Sequence, residues 1–138
     1  MFIYFTRTSR LSILPKKGTS GSAGYDLYSV ENKILRANSA TLVSVGIKVQ
    51  IPPSYFGKIE SRSGMAYRFN VHVGGGVIDS DYRGEIQIIL LNNANTDFQT
   101  GMAVAQIIFL PRLEITLIEK EALQATERGE NGFGSTDG

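Results

Sequence analysis

Short apolar segments separated by glycine, proline and polar turns run through almost the whole chain. Phe2–Thr6 is aromatic and β-branched. Thr41–Ile51 (TLVSVGIKVQI) sets Leu42, Val45, Ile47, Val49 and Ile51 as its apolar series, with a register shift near Ser44 that predicts a bulge. Pro52-Pro53-Ser54 closes this strand, and Tyr55–Glu60 reads as the next. Asn70–Val73 and Val77-Ile78 flank three consecutive glycines. Glu85–Asn92 contains an unbroken apolar run, Ile88–Leu91, which predicts a strand covered on both faces. Asn92-Asn93-Ala94-Asn95 reads as a turn. Ala103–Leu110 and Leu113–Ile118 read as strands broken by Pro111. Helix signals are weak: one turn at Ser63–Tyr67, capped by Ser63, and a turn or two within Glu119–Ala125. Many short strands with Gly and Pro turns predict an all-β fold, a jelly roll or β-sandwich with little helix. We expect one domain over residues 1–125. Residues 126–138, ending GENGFGSTDG, lack the apolar residues for a core element and read as a mobile C-terminal arm.

Composition narrows the function. The chain has 138 residues, a formal net charge of +1 and no cysteine. A disulfide framework, a thiolate zinc site and a cysteine nucleophile are therefore excluded. A single histidine, His72, excludes a two-histidine metal site, and nothing in its surroundings marks it as catalytic. The charge balance speaks against a nucleic-acid coat, and the basic N-terminal residues read as a solvated face. No apolar run approaches the ~18 residues needed to span a bilayer. The N-terminus is a poor signal peptide, so an intracellular location, cytoplasm or nucleus, is expected.

Candidate chemistry lies in five segments: AGYDLYS (Ala23–Ser29), SRSGMA (Ser61–Ala66), GGGVIDSDYRGEI (Gly74–Ile86), GMAVAQI (Gly101–Ile107) and RGENGFGST (Arg128–Thr136). On its own chemistry, Asp79 is either a turn aspartate or a carboxylate held at a partly buried strand end, where it can orient and deprotonate a water. Tyr82 reads as a strand aromatic. Ser61-Arg62-Ser63-Gly64 is either a surface cap or an anion cradle. Gln106 is an amide inside an apolar strand, where it must find a partner. Asp26 is a carboxylate at a strand edge. Arg128 offers a fork for phosphate, and Phe133 a ring for base stacking.

In this order and spacing the five segments resemble the five motifs of the trimeric dUTPases, and the match spans nearly the whole chain. The resemblance implies a β jelly roll, a homotrimer with active sites built between subunits, and Mg²⁺-dependent hydrolysis of dUTP to dUMP and pyrophosphate. The product would supply thymidylate synthesis and keep uracil out of DNA. It assigns Asp79 to water activation, and Asp26 to the triphosphate–Mg²⁺ site through water. Arg62, Ser63, Gly64, Gln106, Arg128, Gly134, Ser135 and Thr136 are assigned to the phosphates. Tyr82 would lie under the deoxyribose, rejecting a 2′-hydroxyl by clash, and Phe133 would stack on the base. Main-chain groups of Gly76, Val77 and Ile78, in a hairpin opened by the glycines, would read the uracil edge. Such a polar site discriminates by about 10⁴–10⁵. Three departures stand out: Ser61 where Gly or Pro is common, Met102-Ala103 in place of a charged pair, and Asp137-Gly138 after Thr136, which brings a negative charge near the triphosphate. Two alternatives remain at this level: a dCTP deaminase of similar fold, and a catalytically silent binding module.

Overall fold

The computed structural model describes residues 1–101 and 103–135. Its elements in chain order are β1 (Tyr4–Arg7), β2 (Tyr25–Tyr28), β3 (Ile34–Leu35), β4 (Ser39–Ser44), β5 (Ile47–Gln50), β6 (Tyr55–Glu60), α1 (Ser63–Phe69), β7 (Val71–Gly74), β8 (Val77–Ile78), β9 (Gln87–Asn92), β10 (Phe98–Gln99) and β11 (Ala103–Pro111). One sheet has the order β2-β11-β6-β8 and a second has β4-β9-β7, with the pairs β1-β5 and β3-β10 beside them. Every pairing is antiparallel. This is the all-β jelly-roll arrangement that the strand pattern predicts.

Period-two alternation puts one face of each sheet inside. In β9, Ile88, Leu90 and Asn92 are buried, while Gln87 and Ile89 face outward. The unbroken apolar run therefore does not mark a strand covered on both faces: Ile89 faces outward and stays 36% exposed. In β5, Ile47 and Val49 point in and Lys48 and Gln50 out. Leu27, Ile59, Val104, Ala105 and Ile107 from the first sheet meet Val43, Val71, Ile88 and Leu90 from the second in one core. Burying each such Ile or Leu side chain contributes about 1.5–3 kcal/mol.

The long apolar stretch Thr41–Ile51 divides into β4 and β5. The break comes at Gly46, with φ +67°, rather than as a bulge near Ser44; a left-handed residue cannot continue a strand. The Asn92–Asn95 turn forms as predicted. Buried Asn92 donates its amide to the Leu35 and Thr96 carbonyls (2.9 and 3.0 Å) and accepts the Ala94 N–H (3.0 Å).

The predicted strand Leu113–Ile118 and helical turns in Glu119–Ala125 do not form. The alternation is present in sequence, but Leu113, Ile115 and Leu117 are 78%, 75% and 92% exposed. A strand needs a neighbour, and past Arg112, which bonds to the Ser54 and Pro53 carbonyls, the chain leaves its own body. No helix among the described residues is long and apolar enough to cross a membrane.

The loops at the β3–β10 end are held by Asp97, which accepts the Ala37 N–H at 2.9 Å and pairs with Arg36 at 2.9 Å. The Ala37 N–H first, and then the Arg36 guanidinium, hold the carboxyl below its usual range. A depressed native pKa contributes stability above the unfolded-state value, and that stability is lost as pH falls through the native one. Asp97→Ala should lower Tm at pH 7, and the gap to the unsubstituted chain should close below the ordinary aspartate range. Thermal melts across pH would check this; a gap that persists in acid would mean that packing, not charge, is lost.

Candidate active site

The antiparallel register of the first sheet sets out the first half of the site. Gln106 of β11 lies opposite Asp26 of β2 on one side and Glu60 of β6 on the other. Directly opposed residues share a face, so the three polar side chains form a row across three strands. The next register, Tyr25–Ile107–Ile59, faces inward, with Ile107 and Ile59 buried. A bulge between Ala103 and Ala105 adjusts the phase that puts Gln106 outside. This answers the puzzle of an amide within an apolar strand: it sits on the solvent side and donates to the Ser61 carbonyl at 3.1 Å.

Gln106 is also fixed from the other direction. A Cβ on buried Gly24 would fall on Gln106 Oε1, so the residue before β2 must lack a side chain for the amide to lie where it does.

Beside this row the chain leaves β6 and turns into α1. Arg62 is the N-cap residue and no side chain caps the helix, so Ser63 is its first residue and not its cap. The first-turn N–H groups have no intrahelical acceptors. Arg62 reaches back, with Nε 3.5 Å from Asp26 Oδ1 and a terminal nitrogen 3.5 Å from the Ala103 carbonyl. Asp26, Arg62, Ser63, Gly64, Met65 and Gln106 thus line one cavity of about 250 Å³. Three separated segments of sequence meet there, and five of the six lining residues are those assigned to phosphate or metal.

The second half follows the triple glycine. β7 and β8 do not pair with each other, so the predicted hairpin does not form; β7 pairs with β9 and β8 with β6. Gly75 and Gly76, with φ +61° and +107°, carry the chain from one sheet to the other. Gly76 gives its carbonyl to Ile59 N–H at 2.7 Å, and a Cβ there would stand 2.8 Å from the Ile59 carbonyl. Ile59–Gly76 and Gly57–Ile78 face one another. Antiparallel alternation then turns the N–H and C=O of Val77, between them, away from β6 toward the open edge.

Asp79 follows directly; its main-chain carbonyl accepts the Tyr82 N–H at 3.2 Å, so the D-S-D turn forms. Asp79 is exposed in the single chain, not partly buried, because no element of its own chain packs over the end of β8. The Tyr82 hydroxyl donates to the Glu85 carbonyl at 2.8 Å. Val77, Ile78, Asp79, Tyr82 and Gln87 line a cavity of about 170 Å³. Gln87 is a residue that sequence reading missed; the only hint is the polar position in the alternation of EIQI.

The arm residues are not brought to either cavity. Arg128 Nε donates to the Asn131 carbonyl at 2.8 Å, the Gly132 N–H donates to Ser135 Oγ at 2.8 Å, and Phe133 and Gly134 lie in a solvent-exposed turn. Thr136 and Asp137-Gly138 lie outside the described residues, as does Met102. His72 bonds only to Asn70 Oδ1, at 2.8 Å.

Among the described residues no three His, Cys, Asp or Glu side chains gather at one point. A metal caged by protein alone is not built here. Mg²⁺ keeps several waters and is commonly held by substrate phosphates with one or two carboxylates, and a single half-buried Asp26 beside a polar cavity fits that mode.

Comparison with known proteins agrees with this geometry. The dUTPase family model matches residues 11–137. The chain belongs to the dUTPase family. It is 43% identical to the deoxyuridine 5'-triphosphate nucleotidohydrolase of Swinepox virus (strain Kasza), over 99% of this chain and 97% of that protein. The fold matches a mutant dUTPase of Staphylococcus bacteriophage 80alpha with dUpNHpp, with a TM-score of 0.89, 23% identity and 97% of each chain covered. It also matches a mutant dUTPase of phage phi11 of S. aureus, in a structure detailing the coordination of a structural Mg(II) ion. There the TM-score is 0.83 with 21% identity, over 91% of this chain and all of that one.

If Gly24 is required by the amide, Gly24→Ala should displace Gln106 from the Ser61 carbonyl and raise KM for the nucleotide while the fold survives. A crystal structure of the variant with Gln106 unmoved would show that the sheet gives way instead.

Proposed function

We propose that this chain hydrolyses dUTP to dUMP and pyrophosphate, with Asp79 as general base. The observation that carries the proposal is the gathering of Asp26, Arg62, Ser63, Gly64 and Gln106 from distant segments into one polar cavity, with the Val77–Tyr82 cavity on the same stretch of chain. The triphosphate lies in the first cavity. Arg62 meets its charge with a guanidinium fork, and the uncapped N–H groups and the Ser63 hydroxyl supply further donors. Uracil lies along the edge of β8, where the outward N–H and C=O of Val77 complement a carbonyl acceptor and the N3–H donor. Cytosine reverses that pattern and leaves buried groups unpaired.

Asp79 takes a proton from a water whose oxygen forms a bond to the α-phosphorus. The bond from that phosphorus to the bridging oxygen breaks, and the electron pair leaves with pyrophosphate. Asp26 is the residue that would hold Mg²⁺, through water and together with the substrate phosphates. When bound, the ion neutralises charge on the triphosphate.

The active assembly is a homotrimer with sites between subunits. Three features support it. Asp79 is open to solvent in the lone chain. No residue after Gln106 lines either cavity among the described residues. The apolar series Leu113, Ile115, Leu117 is exposed, while an apolar groove of about 260 Å³, bounded by Met1, Ile3, Phe5, Leu14, Tyr25 and Phe109, lies open. A neighbour's 113–118 segment would fill that groove as an added strand. Residues 126–138 would then cross to another subunit's site and close over the nucleotide, with Arg128, Gly134, Ser135 and Thr136 on phosphates and Phe133 on the base. The stacking is worth roughly 1–3 kcal/mol.

Asp79→Asn should reduce kcat by about 10²–10⁴ with dUTP binding retained; near-normal turnover would remove Asp79 from its role. Removing Arg128 to Gly138 should leave a trimer by analytical ultracentrifugation but cripple pyrophosphate release from dUTP. A monomer in that experiment, or full activity, would overturn the account of the arm.

A further inference from the structure

Glycine is needed at position 84 for a reason that lies outside its own backbone. The left-handed glycines among the described residues are Gly46, Gly75, Gly76, Gly129 and Gly134, so no positive φ demands one at 84. The demand comes from Tyr82. Its ring folds back over Gly84: a Cβ there would stand 2.4 Å from the hydroxyl oxygen, 2.5 Å from Cζ and 2.8 Å from Cε1. All three distances are shorter than a Cβ can accept, and all three atoms belong to one side chain. The Tyr82 hydroxyl ends on the Glu85 carbonyl at 2.8 Å. That carbonyl is itself anchored. The Glu85 carboxylate accepts the Ser44 hydroxyl, and the next residue, Ile86, is fully buried with its N–H on the Ile47 carbonyl at 2.8 Å. The backbone end of Tyr82 is held by the Asp79 turn. Arg83 ties the same turn together through the Ser80 and Tyr82 carbonyls, at 2.7 and 3.2 Å.

We propose that Gly84 is a specificity-determining positioning residue: it leaves room for the Tyr82 ring to rest against the chain with its hydroxyl on Glu85, and so makes that ring a stiff wall of the Val77–Tyr82 cavity. A ring on a residue that is 43% exposed has little packing to hold it, and a wall excludes an extra atom only as far as it cannot retreat. The clash with a sugar 2′-hydroxyl therefore draws its strength from the anchoring of Tyr82 and not from the presence of the ring alone. With alanine at 84 the fold has no cause to shift, because the atoms the methyl group meets first lie in a side chain that can swing into solvent. The ring leaves Glu85, and a ribonucleotide gains space that a deoxynucleotide never needed.

The inference rests on the reading that Tyr82 lies under the deoxyribose, and the experiment separates the two. kcat/KM is measured with dUTP and with UTP for the unsubstituted chain, Gly84→Ala, Tyr82→Phe, Tyr82→Ala and the double variant Gly84→Ala with Tyr82→Ala. In Gly84→Ala the preference for dUTP should fall by about 10-fold or more, through a rise in kcat/KM for UTP. Tyr82→Phe, which keeps the ring and loses the bond to Glu85, should lower the preference in the same direction by a smaller factor. Added to Tyr82→Ala, the glycine change should alter kcat/KM for neither nucleotide by more than about 2-fold, since the ring it displaces is gone. A loss in Gly84→Ala shared equally by both nucleotides, or one that persists undiminished in the Tyr82→Ala background, would show that Gly84 serves the fold and would overturn the proposal. An unchanged preference in Tyr82→Ala would instead overturn the sugar reading of Tyr82, whatever Gly84 does. Should Gly84→Ala fail to fold, Tyr82→Phe carries the test: an unchanged preference there, beside a lowered one in Tyr82→Ala, would show that the ring needs no anchor.

Discussion

The pairing of β11 with β2 on one side and β6 on the other is the constraint on which the site depends. It places Asp26, Gln106 and Glu60 in one row and sends the neighbouring Ile107 and Ile59 into the core. Because side chains alternate with period two, a slip of one residue in either pairing would bury Gln106 and expose Ile107. The hydrophobic core thus sets the position of the polar row more firmly than any contact within it. The Asp26–Arg62 pair, at 3.5 Å and partly open to water, contributes at most about 1 kcal/mol. Truncating a core residue such as Ile107 costs about 2–5 kcal/mol. The site's geometry is inherited from packing, and its charges are left free to meet a ligand.

Some of this was legible in the sequence for clear physical reasons. Tyr55–Glu60 is a strand with the limits that Pro52-Pro53 and the change at Ser61 suggest, since proline cannot donate to a ladder and a polar loop follows. The helical turn at Ser63 was visible as a location, although its cap is Arg62. Strands β3 and β10, two residues each, are too short to carry a pattern. In β2 only Leu27 is fully buried, and the sequence YDLY reads as a motif before it reads as a strand. The hairpin around Gly74–Gly76 was the natural expectation from adjacent apolar segments. The glycines instead move the chain between sheets, a choice settled by which edges, those of β6 and β9, remained unpaired.

Two other departures share a cause. The apolar positions of 113–118 and Ile89 of β9 are open in the single chain, while Ile88 and Leu90 of the same run are buried. Periodicity marks positions suited to burial; it carries no information about what covers them. The motif residues split the same way. Those up to Gln106 gather within the chain into two cavities, because strand pairing sets their positions. Arg128, Phe133, Gly134 and Ser135 have no strand to place them, and in sequence the segment looks like a frayed end with an arginine, a phenylalanine and two hydroxyls.

Asp26 is the one carboxylate among the described residues lining the Arg62 cavity. Asp26 already faces a guanidinium, so its charge is partly compensated before any cation arrives. One such group is a weak anchor for a divalent ion that gives up its waters reluctantly. On the proposed reading the phosphates would bring most of the negative charge, so that the metal and the triphosphate would each assist the other's binding. Linkage makes that assistance equal in both directions. On the proposed reading a nucleoside monophosphate would lack the charge that recruits the ion, and release of pyrophosphate would also loosen the cation. Glu60, the other acid of the row, is engaged by Lys58 at 2.8 Å, and a site left with Asp26 alone fits a grip that would relax once the reaction is complete.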